Sequence, residues 1–157
     1  MRTLTLSVLL LLNSVLAKAQ SLTVNDIKGE WTMVAFEMSD IYYEWGIDSL
    51  ALGPNLKSQV TPENEKLVVD DIKKNLQPFI DGHLIIKGDG YYMQKLMGEE
   101  ADGNYTLIKK GGAQYLRVIN NNKNKDVDEL KVEKKKGWLY ISMNTEEGET
   151  ILIFEKD

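Results

Sequence analysis

No cysteine occurs anywhere in the sequence. That excludes disulfides, thiolate metal sites and thiol nucleophiles, so stability must come from burial and sheet pairing. Histidine is nearly absent too, with His83 the sole example. A serine-type triad would need His83 beside Ser21, Ser39, Ser49, Ser58 or Ser142 with a carboxylate behind it. No nucleophile-elbow spacing surrounds any of those serines. A zinc site would have to be completed by carboxylates, and no metal-binding motif supports one. No catalytic residues, no metal and no cofactor are expected, and the chain reads as a non-enzyme.

Excess positive charge is also missing. Lys and Arg together number 19 against 24 acids, a net charge of −5. An acidic surface repels phosphate backbones, so nucleic acid is not an expected partner. Only one long apolar run exists, Leu4 to Leu16. With Arg2 before it and Ala17-Lys18-Ala19 after it, it reads as a secretory signal peptide over residues 1–19. A spanning helix wants about 20 apolar residues, and this run is shorter. Cleavage after Ala19 leaves residues 20–157, 17 bases against 24 acids and a net charge of −7. The expected location is exported, either periplasmic or secreted, with no membrane span after cleavage. One domain with a real core suits that length.

What is present is mostly strand. Gly29 to Met38 alternates as a first strand with Trp31, Met33 and Ala35 on one face and Val34, Phe36 and Met38 on the other. Ser39 to Ile80 breaks that rhythm. It holds the rings Tyr42, Tyr43 and Trp45, the turn Gly53-Pro54-Asn55, and a helix expected from Thr61-Pro62 to Gln77-Pro78. Val68, Ile72 and Leu76, with Leu67 alongside, give that helix an apolar stripe. From His83 onward come seven short strands, broken by turns at 88–90, 98–103, 109–113, 120–126, 134–137 and 144–149. The expected architecture is all-β: an up-and-down antiparallel barrel of about eight strands with one helix-bearing insertion after the first strand.

Gly29-Glu30-Trp31 opens the first strand, and Lys87-Gly88-Asp89-Gly90-Tyr91-Tyr92 with Gly103-Asn104-Tyr105 follows further on. In these features, with a covering segment and tight hairpins between, the chain resembles secreted bacterial lipocalin-like proteins of the calycin group. The resemblance spans nearly all of residues 20–157. It implies a glycine that lets the backbone pass close to the barrel base, and a tryptophan that plugs that end. Gly29 and Trp31 are thus the structural motif. The family's Thr-Asp-Tyr motif has no clear counterpart, nor has its arginine across the tryptophan ring. Lys156 and Arg117 are the cations that remain for that place.

The resemblance implies non-catalytic binding or transport of a small, mostly apolar ligand in the barrel cavity. Methionine and aromatic groups make adaptable walls for such a ligand, though the same types fill any small β core. The candidate lining is Met33 and Ala35, Tyr105 and Leu107, Leu139 and Ile141, with Tyr42, Tyr43 and Trp45 above. A one-residue register slip inverts these faces. The alternative is a packed barrel, filled by its own side chains and serving as an exported protein-interaction or inhibitor module. Asn120 to Glu129 is rich in oxygens but lacks a calcium-loop pattern, and Lys123 and Lys125 intrude. Glu99 to Asp102 and Lys134-Lys135-Lys136 read as solvated turns.

Overall fold

The apolar run after Gly29 becomes strand β1, Gly29–Met38, in a computed structural model that describes residues 21–145 and 148–157. The expected signal peptide lies outside those residues. Before β1, Val24–Ile27 forms helix α1, with Thr23 as N-cap and Asp26 accepting from both the Thr23 amide and hydroxyl. After β1 come β2 (Ile41–Glu44), β3 (Ser49–Leu52), the single-turn α2 (Pro54–Lys57) and α3 (Glu65–Leu76). Then follow β4 (His83–Ile86), β5 (Tyr91–Leu96), β6 (Glu99–Lys110), β7 (Ala113–Asn120), β8 (Val127–Lys135), β9 (Trp138–Thr145) and β10 (Gly148–Lys156).

Strands β4 to β10 pair antiparallel in chain order, and β10 returns to β1, which also pairs β4. These eight strands close an antiparallel barrel, as the turn count predicts. Closure leaves no free edge on this circuit. Three hairpins turn on residue pairs with positive φ: Met97-Gly98, Gly111-Gly112 and Lys136-Gly137. That is the backbone a two-residue turn needs to match strand twist.

The covering segment departs from its reading in three ways. It carries strand as well as helix, because β2 and β3 form a hairpin on β1. β1 is ten residues long but β4 only four, so Gly29–Thr32 pairs β4 while Ala35–Met38 pairs β2 on the same side. Helix α3 begins at Glu65 and not at Thr61-Pro62, since residues 62–64 form a turn. Leu67 points away, 74% exposed, while Leu76 is buried. The stretch 99–103, read as turn, belongs to β6. With only Met97-Gly98 needed for the reversal, Glu99 to Asp102 can pair Leu96 to Met93.

Candidate functional site

The base of the barrel is closed from the sequence motif upward. Gly29 holds φ at +143°, and a Cβ there would sit 2.7 Å from the Lys156 Cε. Trp31 is fully buried, and its indole Nε1 donates to the Ile27 carbonyl at 2.8 Å, which ties α1 across the end. Two ammonium groups lie near its ring, Lys156 Nζ at 5.6 Å and Lys134 Nζ at 5.7 Å from the centroid. Lys134 also donates to the Asp26 carbonyl at 2.8 Å, so one residue of the lysine run belongs to the base and not to a free turn. Arg117 is exposed, on the opposite face of β7 from the buried Leu116 and Val118.

Above Trp31 the inward side chains are Met33, Leu139 and Ile141, all buried, with Tyr105 buried and Leu107 half-buried against them. Ala35 is not among them. A β-bulge between Met33 and Ala35 inserts Val34 as an extra residue, so Ala35 pairs Ile153 and Phe36 pairs Leu152. Leu152 and Phe154 face the barrel core, so Ile153 and Ala35 lie on the other side of the wall, where both are also buried, and Phe36 takes the inward place. The bulge also frees the Met33 carbonyl, which accepts from the Trp45 Nε1 at 3.1 Å.

The three rings of the covering segment separate for a simple reason. Tyr42 and Tyr43 are neighbours on a strand and must point to opposite faces. Tyr43 pairs Phe36 and is buried in the core, while Tyr42 pairs the exposed Glu37 and faces outward. The Tyr42 hydroxyl donates to Glu44 at 2.9 Å, and burial with that bond pushes its phenol up to about 12. Trp45 packs edge-on to Tyr43, half-buried, with ring centroids 6.0 Å apart. Of the nine lining candidates, seven therefore share the inner side and two, Ala35 and Tyr42, do not.

The far end of the barrel is covered by residues that strand periodicity does not reveal. Phe79, just after α3, lies 4.9 Å from the Phe36 ring. Ile72 and Leu76 of α3 pack on the core. Asp48, in a left-handed conformation, accepts from the Tyr43 hydroxyl at 2.9 Å and from Lys73 of α3 at 2.6 Å. The Lys73 ammonium, then the Tyr43 hydroxyl, hold the Asp48 carboxyl below the usual carboxylate range. Beside this cover, Thr150 pairs Met38 and Met143 and alternates inward with Leu152. It is 5% exposed, and its hydroxyl has no hydrogen-bond partner among the described residues.

At least three cavities open on the surface of the described residues. One of about 550 Å³ runs between Leu22, Gln114 and Lys134. A second, about 520 Å³, lies between Leu52 and Val69, and a third, about 160 Å³, beside Tyr115 and Ser142. None of the three is lined by Met33, Tyr105, Leu139 or Ile141. In the 120–128 hairpin, the Asn120 and Asn122 amide nitrogens donate to Asp128 and Asp126, so those carboxylates already accept hydrogen bonds from within the loop.

No protein-family model and no curated protein matches the chain. Among solved structures it is similar in fold to a DUF4847 family protein from Bacteroides vulgatus ATCC 8482. The TM-score is 0.50 at 14% identity, over 86% of this chain and 98% of that one. That likeness extends across the barrel and shows an antiparallel β-barrel fold shared at low identity.

Proposed function

We propose that this chain is an exported, lipocalin-like, non-catalytic binding protein for a small, mostly apolar molecule, taken up at the helix-covered end. The observation that carries the reading is Thr150. A buried hydroxyl left unpaired costs about 1–3 kcal/mol, and here it faces inward between Met38 and Met143. A ligand with one polar group among apolar atoms would satisfy that hydroxyl and use the methionines as walls. Tyr43 and Trp45 stand on the same inner side. Trp31 and α1 fill the base, which favours the other end as the mouth. Uptake at the far end requires α3 to move, and α3 is held there by Leu76, Ile72 and the Lys73–Asp48 bond.

The packed-barrel reading, an interaction or inhibitor module, is favoured by a different observation: the inward residues pack on one another in the lower barrel, and the three cavities described above are not lined by Met33, Tyr105, Leu139 or Ile141. The two separate in one experiment. Native mass spectrometry of protein from its own host, then titration with an apolar fluorophore, should show bound ligand and uptake that weakens in Trp45→Ala and Thr150→Val. A clean apo mass with no uptake, together with a Thr150→Val variant that is only stabilised, would establish the packed barrel instead.

A further inference from the structure

The outer face of the barrel seam holds the sequence's only histidine in company that linear reading does not reveal. His83 opens β4 and pairs Thr32 of β1, and Thr32 pairs Glu155 of β10. Glu30 lies two residues before Thr32 on the same face, and Asp157 follows the end of β10. One ligating atom each from Glu30, His83 and Asp157 lies within 4.8 Å of the others. Residues 30, 83 and 157 thus meet because β4, β1 and β10 are adjacent only in the closed barrel.

We propose that Glu30, His83 and Asp157 form a site for a divalent transition metal of the zinc class, clipping the three strands of the seam. An imidazole nitrogen with two carboxylate oxygens suits zinc, with water completing four ligands. Donors on one zinc stand about 3.3–4 Å apart, given bonds near 2.0–2.2 Å. Small rotations of these side chains close the remaining gap, since Glu30 and Asp157 are exposed and His83 half-buried. The surroundings are built to hold the donors. The Thr32 hydroxyl donates to Asp157 Oδ1 at 2.7 Å, and the Asp157 amide donates to the Glu30 carbonyl at 3.1 Å. Such outer hydrogen bonds orient ligands and raise their affinity. Glu155 adds a further negative charge on this face, while Lys95, paired with His83 on β5, is the cation beside it. Calcium fits less well, because it takes six or more oxygens and no imidazole. In a chain without cysteine, a metal across β4, β1 and β10 would serve where a disulfide cannot.

The test is calorimetric titration of zinc into the chain with no affinity tag and no residue added after Asp157, with cobalt absorption as a second reading. One zinc per chain should bind, cobalt should give tetrahedral-type visible bands, and zinc should raise the melting temperature. His83→Ala and Glu30→Gln should abolish the bands and the thermal shift. Thr32→Val should weaken affinity about ten- to a hundredfold while retaining one site. Glu30 and Thr32 are exposed and none of the three positions is buried, so circular dichroism of the metal-free variants should match the parent. Zinc affinity unchanged in His83→Ala, or no zinc uptake by the folded parent, would overturn the proposal.

Discussion

At Gly29 the backbone sits at φ +143°, a conformation that L side chains rarely adopt. The atom nearest an added Cβ is the far end of a lysine, which can swing away, so the dihedral carries the cost and not the collision. Gly29→Ala should lose about 1–3 kcal/mol in urea unfolding. Lys156→Ala, which removes one cation from the Trp31 ring and leaves Lys134, should lose about 0.5–1 kcal/mol. The double variant should not recover stability relative to Gly29→Ala. Recovery would show that the lysine, and not φ, is what the glycine accommodates. The pairing also explains why no arginine is needed at the base. Two lysines reach the ring from different strands, and each supplies a point charge.

Among the elements, α3 shows how far apolar periodicity can be trusted. Val68, Ile72 and Leu76 recur every four residues and do share a face, but Leu67 lies off it and is 74% exposed. The helix is held by a short list of contacts: Leu76 and Ile72 on the core, and the Lys73 bond to Asp48. Leu76→Ala should therefore cost about 2–5 kcal/mol, while Leu67→Ala should stay within about 0.5 kcal/mol. Equal losses at both positions would contradict the orientation of the helix. The Asp48 end of the Lys73–Asp48 pair is largely exposed, so the pair orients the helix more than it stabilises it. The β2–β3 hairpin illustrates a second limit. Tyr42-Tyr43 reads as an aromatic cluster in a loop because β2 is four residues long, too short for alternation to show.

For the whole molecule, closure of β10 on β1 joins residues about as far apart in sequence as the domain permits. Such pairing must be formed at high entropic cost, and barrels of this kind fold slowly. The closed barrel also buries phenols, and this gives stability a pH dependence. Burial raises the Tyr92, Tyr43 and Tyr105 phenols above their ordinary value, and Tyr42 reaches about 12. The folded chain then keeps protons that the unfolded chain releases near pH 10, so this stability is complete below about 10 and falls as pH rises above it. Lys73, raised by its bond to Asp48, adds to the same slope. Urea midpoints should be level from pH 7 to about 9.5 and decline steadily toward pH 12. Tyr92→Phe should flatten that decline.

The eight barrel strands, most of the turns between them and the base motif are local properties. Alternation, glycine-rich turns and Gly29 beside Trp31 are written along the chain, and an eight-stranded meander barrel follows from them. Which face Ala35 takes was not legible. A bulge at Val34 is a response to pairing with β10, more than a hundred residues away, and it exchanges Ala35 for Phe36 on the inner side. Tyr42 turns outward because β2 lies on β1, which depends on β4 ending early. The Thr150 hydroxyl, without a partner among the described residues, and the meeting of Glu30, His83 and Asp157 belong to the same class. Each is a relation between strands brought together by closure, and nothing within a local window of sequence encodes it.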